Sequence, residues 1–312
     1  MRHIAFVIIA LGAFVGPDSP KPKIQKSGTL DLGMVETTPV VFQGKLKRFE
    51  YVRKDYRGNT TGASYFRFVN VADGRASASF AKDKHLGCAY VEGDEAFVFG
   101  VEAWGGSKIS MFRSKDLEHW ESRQVLELPG WTLFNTSVCK ADGRYVMAIE
   151  VGAPTKVVGV PFTIRFAESK DLKDWKLLPE SRVYSKEKYT ACPALRYVAG
   201  RFYMIYLEAR PGPRYETHIV RSDDLIHWES SPLNPLLADS EQDKTIAEPS
   251  LNAQERRLIA TAKDLNNSDV DLCEFQGKTV ITYSWGNQQG TEFLASAEYD
   301  GALERFLEGF FP

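Results

Sequence analysis

The chain repeats one order of apolar and polar segments five times. In each repeat a polar residue precedes a short apolar segment, a glycine-containing turn follows, and a second apolar segment comes after the turn. Apolar segments of this length between turn residues are typical of β-strands. The first segments with their turns, predicted as inner strands, are Thr38–Gly44, Gly87–Gly93, Ser137–Gly143, Cys192–Gly200 and Asp271–Gly277. The second strands are predicted at Leu46–Val52, Ala96–Val101, Tyr145–Val151, Phe202–Leu207 and Thr279–Tyr283.

A short phrase, Ser-x-Asp-Leu-x-x-Trp, marks three of the repeats. It occurs at Ser114–Trp120, Ser169–Trp175 and Ser222–Trp228, and we interpret Leu303 and Phe306 as a degenerate fourth copy. Intervals of roughly 50 residues are typical of propeller blades, which are four-stranded units of that size. The sequence therefore predicts an all-β fold, a five-bladed β-propeller.

The propeller is predicted to be a single domain over residues 21–312. The last repeat lacks a clear outer strand, and residues 28–35 precede the first inner strand. An N-terminal strand that completes the last blade would remove an open sheet edge. The segment Ala238–Asn266 interrupts the rhythm, and we interpret it as an excursion of the fourth blade with a short helix or an irregular strand at 255–263.

The N-terminus predicts a signal peptide over residues 1–20. Arg2 and His3 precede an apolar run from Ile4 to Val15, which is too short to span a bilayer. We therefore expect export to the periplasm or the outside of the cell and no membrane span. A buried first strand is the alternative interpretation of this run.

Composition narrows the classes of partner. A net charge of −2 and 12% aromatic residues describe a turn-rich β protein without the basic surface that nucleic acid or an anionic membrane requires. Cysteines fall one per repeat within inner strands, at Cys88, Cys139, Cys192 and Cys273. Such positions favour buried free thiols over disulfides. We expect no cofactor and a monomer or small homo-oligomer. No metal ligand set is legible in the sequence, and a structural cation on the propeller axis stays open as an alternative.

The two faces of the predicted propeller differ in chemistry. The Ser-x-Asp-Leu-x-x-Trp hairpins join third and fourth strands, and their Ser and Asp side chains can bond local backbone groups. We therefore expect Asp116, Asp171 and Asp224 to be structural. The opposite face receives the residues that precede the inner strands, which are Glu36, His85, Asn135, Thr190 and Asp269. Around a narrow axis these five side chains would converge on one pit.

The same face also receives the ends of the second strands. Glutamates occur there at Glu50, Glu102, Glu150 and Glu208, and the following loops carry Trp104, Arg210 and, in the fifth repeat, Trp285. Carboxylates and amides with aromatic rings in one funnel are typical of sugar sites. For Glu50 and Glu150, a structural role as hydrogen-bond partners of the neighbouring backbone is an equally good interpretation. For His85, a role as a packed or hydrogen-bonded residue is equally good.

The segment Asn266–Asp271 is the densest polar cluster that leads into an inner strand. Asp269 and Asp271 lie two positions apart, so in a strand they point the same way, towards the axis. Asn267 belongs to this cluster, and Gln288 contributes an amide to the same rim. A turn rich in Asn and Asp is the alternative.

The chain resembles the five-bladed β-propeller glycoside hydrolases of families 32, 43, 62 and 117. The resemblance rests on the three hairpins, on the opening that begins at Thr38-Pro39, and on Thr190-Ala191-Cys192-Pro193. It implies acidic residues at the openings of different blades, which act as base or nucleophile, as proton donor and as a modulator of the donor. The sequence departs from this pattern twice, since Thr38 rather than an acid precedes Pro39, and Ala191 replaces the fourth-blade acid.

The sequence thus predicts a glycosidase that removes a terminal sugar from a plant or algal polysaccharide or oligosaccharide. We predict Asp269 as base or nucleophile, Glu208 as acid and Glu36 as third carboxylate, with His85 as reserve acid and inversion as the outcome. The predicted substrate-binding residues are His85, Glu102, Trp104, Asn135, Thr190, Arg210, Asn267, Asp271, Trp285 and Gln288. The alternatives are a non-catalytic carbohydrate-binding propeller and a glycoside phosphorylase or transferase on the same fold.

Overall fold

Five antiparallel sheets follow one another along the chain in the computed structural model, which describes residues 21–212, 214–287 and 290–312. The predicted signal peptide and Gln288 lie outside the described residues. The first blade consists of β2 (Thr37–Phe42), β3 (Lys45–Val52) and β4 (Tyr65–Asn70), with bridges from Phe66 to Phe80 and from Val69 to Ala76 at its outer edge.

The second, third and fourth blades have four strands each. The second blade contains β5 (His85–Glu92), β6 (Glu95–Val101), β7 (Lys108–Ser114) and β8 (Glu121–Glu127). The third contains β9 (Thr132–Ala141), β10 (Arg144–Ala153), β11 (Thr163–Ser169) and β12 (Trp175–Leu177). The fourth contains β13 (Thr190–Val198), β14 (Arg201–Arg210), β15 (Arg214–Ser222) and β16 (Glu229–Ser230).

The fifth blade closes the ring with the first strand of the chain. Its strands are β17 (Asn266–Phe275), β18 (Lys278–Gly286), β19 (Glu292–Tyr299) and β1 (Gln25–Leu32). β1 pairs antiparallel with β19, and each inner strand contacts the inner strands of both neighbouring blades. The five-bladed β-propeller closed by an N-terminal strand is therefore confirmed.

A buried polar cluster anchors the closing strand. Lys26 donates to the Asp243 carboxylate at 2.7 Å and to Asn267 Oδ1 at 2.8 Å. Thr29 donates to the backbone oxygen of Asp243 at 2.6 Å and accepts from Trp285 Nε1 at 2.9 Å. Asn267 and Trp285 are 1% and 0% exposed, so their predicted place in the substrate site is wrong. Both side chains instead hold the seam between β1 and the fifth blade.

Three short helices and a 3₁₀ turn lie in the segments that connect the strands or follow the last one. They are α1 (Thr155–Val158), the turn Glu241–Lys244, α2 (Ala253–Thr261) and α3 (Leu303–Glu308). Asn252 caps α2 by accepting from the backbone of Glu255, whose carboxylate accepts from the backbone of Asn252. The excursion of the fourth blade therefore contains a helix. No described helix is long and apolar enough to cross a membrane.

Our interpretation of Leu303 and Phe306 as a fourth hairpin copy is wrong. Both residues lie in α3, and Phe306 is buried in the core. A spacing of three residues fits the hairpin, but it also places two side chains on one face of a helix. The spacing alone therefore did not distinguish the two structures.

The three true hairpins have one geometry. Asp116 Oδ1 accepts from the backbone nitrogens of residues 118 and 119 at 2.9 and 2.8 Å, and Asp171 and Asp224 repeat this arrangement. Hydrogen bonds from the following backbone keep the pKa of Asp116 and Asp224 below the ordinary value. The buried leucines of the phrase adopt left-handed φ angles of 63 to 65°. These aspartates hold the turn, as the sequence predicts.

All four cysteines are free.

Candidate active site

A narrow pit of about 30 Å³ lies at the propeller axis. Its lining residues come from the inner-strand openings of all five blades and include Glu36, Cys88, Asn135, Cys192 and Asp269, with Asp271 beside Asp269. The predicted convergence is thus present for Glu36, Asn135 and Asp269. His85 lies beside the pit rather than in it, and Thr190 is fully buried behind it.

The same backbone irregularity shapes three blade openings. The pairing of inner and second strands shifts register between His85 and Cys88, between Ala191 and Ala194, and between Ser268 and Asp271. Inside these bulges lie three residues with left-handed φ angles of 52, 50 and 48°, which are Leu86, Cys192 and Asp269 respectively. A bulge re-aims a side chain out of the regular alternation of a strand, at a cost of about 1–3 kcal/mol for a non-glycine residue. Cys192 and Asp269 therefore occupy equivalent positions in neighbouring blades.

Glu36 is the carboxylate of the first blade. It lies just before β2, is almost fully buried, and forms an ion pair with the Arg53 guanidinium. Tyr56 Oη donates to its second oxygen at 3.3 Å. The negative charge of Glu36 is therefore balanced by an arginine within the site.

Asp269 lines the same pit from the neighbouring fifth blade and has a different electrostatic environment. Burial and then the charge of Glu36 raise the pKa of Asp269 to about 6, although hydrogen bonds from Ser268 and Cys192 oppose the shift. Asp271 points to the same axis, where Arg196 pairs with it. Two carboxylates at one site with different partners are expected to ionise at different pH values.

Two further glutamates belong to this electrostatic system. Glu150, at the end of β10, accepts from the Cys192 backbone nitrogen at 2.8 Å and from Asn135 Nδ2 at 3.0 Å. Burial, with a smaller effect of Asp269 and Glu36, raises the pKa of Glu150 to about 7. Glu292, at the start of β19, also has a pKa raised to about 7 by burial and then by the charges of Asp269 and Glu36.

Glu208 does not have the environment of a proton donor, which corrects the prediction for this residue. It accepts from Lys188 Nζ at 3.0 Å, Arg210 Nη1 at 3.0 Å and Tyr206 Oη at 2.8 Å. Burial raises the pKa of Glu208, but the hydrogen bonds from Lys188 and Tyr206 outweigh it, so the net pKa is lowered. Arg210 is likewise engaged with Glu208 and Glu216 rather than with the pit.

Glu50 and Glu102 also lie outside the pit. Glu50 is buried between Arg48 and Arg67, at 2.8 and 2.7 Å, which agrees with its structural interpretation. Glu102 accepts from Ser110 Oγ at 3.3 Å and lies 4.0 Å from Lys84. Neither residue lines the pit or the cavity beside it.

A second, larger cavity opens beside the pit between the first two blades. This side cavity has a volume of about 550 Å³ and is lined by Tyr51, Arg53, Lys54, Asp55, Gly62, Ala63, Ser64, Asp83, His85 and Trp104. His85 Nδ1 lies 2.6 Å from Tyr51 Oη, and burial lowers the pKa of His85. The Arg53 guanidinium that pairs with Glu36 also lies 5.0 Å from the Trp104 ring centroid. Arg53 therefore lines the side cavity and pairs with a carboxylate that lines the pit.

The described residues contain no group of three or more His, Cys, Asp and Glu side chains placed to hold a metal ion. The pit instead presents carboxylates, an amide and a thiol to a ligand. Carboxyl groups with different environments in one place are able to transfer protons.

Comparisons with known proteins identify the fold. No protein-family model matches the sequence, and no curated protein is significantly similar to it. Solved structures match over most of the chain. An α-L-arabinofuranosidase from Podospora anserina in complex with cellotriose has a TM-score of 0.62 and 8% identity, with 90% of this chain and 98% of that chain covered.

Two other solved structures are similar in the same way. A putative glycoside hydrolase from Parabacteroides distasonis has a TM-score of 0.58 and 14% identity, with 94% of this chain and 96% of that chain covered. An α-L-arabinofuranosidase from Fusarium graminearum with an iminosugar inhibitor has a TM-score of 0.57 and 10% identity, with coverage of 90% and 97%. The predicted resemblance to glycoside hydrolases is thus confirmed at the level of the fold.

Proposed function

We propose that the protein is a glycoside hydrolase that removes a terminal sugar at the axial pit. The observation that carries the proposal is the group of carboxylates at this one place. Glu36 is paired with Arg53, whereas Asp269, Glu150 and Glu292 have raised pKa values. Hydrolysis of a glycosidic bond needs one protonated and one ionised carboxyl group on either side of the bond.

The electrostatics support one assignment of the two roles. Asp269 retains a proton in weakly acidic solution, because its pKa is about 6, and its side chain is accessible from the pit. Glu36 forms an ion pair with the Arg53 guanidinium. We therefore assign Asp269 as proton donor and Glu36 as base. The sequence analysis predicted Asp269 as base or nucleophile, Glu208 as donor and Glu36 as third carboxylate.

The reaction then proceeds with both carboxyl groups in defined states. Asp269 gives its proton to the glycosidic oxygen as the bond to the anomeric carbon breaks, and the electron pair leaves with that oxygen. Glu36 takes a proton from a water whose oxygen attacks the anomeric carbon from the opposite face. This sequence inverts the anomeric configuration, needs no cofactor, and leaves Glu36 to return its proton to solvent while Asp269 is reprotonated.

Glu150, Asn135 and Cys192 support the donor rather than touch the bond. Glu150 lies behind Asn135 and Cys192 and accepts a hydrogen bond from each. The charge of Asp269 adds to the effect of burial in raising the pKa of Glu150, so the two carboxyl groups titrate as an interacting pair. This arrangement supplies a modulating carboxylate despite the alanine at position 191.

The test is hydrolysis of a panel of substrates by the purified protein. The panel contains nitrophenyl α-L-arabinofuranoside, β-D-xyloside and β-D-fructofuranoside, together with xylo-, arabino-, fructo- and algal oligosaccharides. Asp269→Asn and Glu36→Gln should each lower kcat by about 10²–10⁴-fold. Glu118→Gln, an exposed change in a hairpin on the opposite face, is the matched control and should retain activity.

The alternatives give different outcomes in the same panel. Saccharide binding without turnover of any compound would refute the hydrolase and indicate a binding propeller, which the absence of an acid at Ala191 would then explain. Turnover that requires inorganic phosphate would indicate a phosphorylase. The anomer first released, followed by ¹H NMR, should be the inverted one.

A further inference from the structure

A row of aromatic rings crosses the face of the propeller that carries the pit. This aromatic arc consists of Trp104, Phe134, Phe162, Tyr189 and Tyr215. Consecutive ring centroids are 6.0, 5.0, 5.6 and 5.7 Å apart. The five rings come from the second, third and fourth blades, so the arc joins parts of the chain that the pit alone does not connect.

The rings of the arc lie at the edge of the hydrophobic core rather than inside it, and Phe134 packs against that core. Core rings such as Phe99 and Phe166 are completely buried, whereas every ring of the arc keeps some exposed surface. Trp104 is 55% exposed, more than any other large hydrophobic side chain among the described residues. The other four rings are partly buried, so the arc offers one exposed ring that continues into partly accessible aromatic surface, which is a feature of ligand sites.

The arc is continuous with the carboxylate site. The Trp104 ring lies 5.0 Å from the Arg53 guanidinium, which pairs with Glu36. Tyr189 lies close enough to Cys192 and Glu150 for their charges to add to the effect of burial in raising its pKa. A ligand that reaches the reactive carboxyl groups therefore also contacts the arc.

The two cavities differ in volume and can therefore hold different parts of a ligand. The pit, at about 30 Å³, holds about two waters, so a sugar ring must lie above it. The side cavity, at about 550 Å³, is within the range of small-ligand sites, about 300–1,000 Å³. Trp104 is a wall of the side cavity and also the first ring of the arc.

Charge favours a neutral occupant. The side cavity carries two cations, Arg53 and Lys54, and two anions, Asp55 and Asp83. Aromatic faces with hydroxyl and imidazole groups nearby suit the C–H surfaces and hydroxyls of uncharged sugars. Neither an anionic nor a cationic chain would find a site of the opposite sign there.

We propose that the arc and the side cavity bind a chain of uncharged sugars, with Trp104 as the main anchor. This inference rests on the proposed hydrolase function and specifies its substrate class. The substrate is an oligosaccharide or polysaccharide whose terminal sugar covers the pit and whose further sugars stack on Trp104 and the neighbouring rings. A glycoside of a single sugar uses only part of this surface.

The experiment measures binding without turnover. The Asp269→Asn protein is titrated with the xylo-, arabino- and fructo-oligosaccharides of the panel, from two to six units, by calorimetry and tryptophan fluorescence. Affinity should rise with chain length for one of the series. Addition of Trp104→Ala should weaken binding of the longest chain by about tenfold or more, the loss of one aromatic anchor, and should flatten the dependence on length.

Two controls keep the result specific. Trp104→Phe retains a ring and should recover most of the affinity, whereas Leu258→Ala removes another exposed apolar side chain, on α2, and should change nothing. Affinity that does not depend on chain length, or on Trp104, would refute the chain site. Length-dependent binding without hydrolysis by the unmodified protein would refute only the hydrolase, and hydrolysis without length dependence would refute only the chain site.

Discussion

Replacement of Glu150 by glutamine should make the protein less sensitive to rising pH. Burial raises the pKa of Glu150 from 4.5 in the unfolded chain to about 7 in the folded protein. A group with a raised folded-state pKa stabilises the fold below its unfolded pKa, and this contribution disappears as the pH rises through the folded pKa. The contribution of Glu150 is therefore present below pH 4.5 and lost by about pH 7.

The magnitude follows from the size of the shift. A difference of about 2.5 units corresponds to about 3 kcal/mol of unfolding free energy between the two ends of this range, at about 1.4 kcal/mol per unit. Glutamine keeps an oxygen that can accept from the Cys192 backbone nitrogen and from Asn135, so the two hydrogen bonds of Glu150 can remain. The variant loses the ionisation, and its amide nitrogen donates where the second carboxylate oxygen accepted.

Urea denaturation at intervals from pH 4.5 to pH 8 provides the measurement. The free energy of unfolding of Glu150→Gln relative to the unmodified protein should increase by up to about 3 kcal/mol across this range. Glu118→Gln, the exposed control, should give a constant difference. A difference for Glu150→Gln that is also constant with pH would show that Glu150 is not a buried carboxylate of raised pKa, and the modulating role would fall with it.

Three other predictions concern the donor, the seam and the arc. The alkaline limb of kcat/KM against pH should lie near 6, because activity is lost as Asp269 gives up its proton; an alkaline limb above pH 8 would contradict its role as donor. Lys26→Met leaves the fully buried Asp243 without its cation and should lower the free energy of unfolding in urea by about 3–5 kcal/mol, so an unchanged denaturation midpoint would contradict the structural role of the pair. Gly152→Ala places a methyl group 2.8 Å from the Phe134 ring and should displace it, which should weaken binding of the longest oligosaccharide in calorimetry; unchanged affinity would argue against Phe134 as a contact.

The strands and blades were predictable because the apolar pattern and the turn glycines act locally. Each predicted inner strand overlaps an observed one, and the second strands agree to within a few residues. The closing strand followed from a general physical requirement, since an open edge in the last blade would be left unpaired. The convergence of Glu36, Asn135 and Asp269 followed from topology, because the starts of inner strands meet at the axis.

The choice between Glu150 and Glu208 was not predictable from strand position alone. Both glutamates end second strands, yet Glu150 meets Asn135 and Cys192 whereas Glu208 meets Lys188 and Arg210. One available signal was Arg210, two residues beyond Glu208 in the same strand and thus on the same side. The contribution of Glu292 required knowing that the start of a third strand also lies at the pit, and the sequence analysis did not consider that position.

The bulges and the aromatic arc depend on contacts between blades. Nothing in the local sequence at Cys192 or Asp269 requires a left-handed backbone, which non-glycine residues rarely adopt. The arc needs rings from three blades to meet, at distances that only the assembled ring sets. Such features arise from tertiary packing, and a pattern of apolar and polar positions does not record them.

The seam between β1 and β19 gives the molecule a particular kind of cooperativity. The partners Gln25 and Glu298 lie near opposite ends of the described chain, so a toroid can form only when almost the whole polypeptide is available. Contacts so distant in sequence are slow to form, since a long loop must be closed first. Once formed, however, these contacts hold the first strand in the last blade. We therefore expect the five sheets to unfold together in one cooperative transition rather than one at a time.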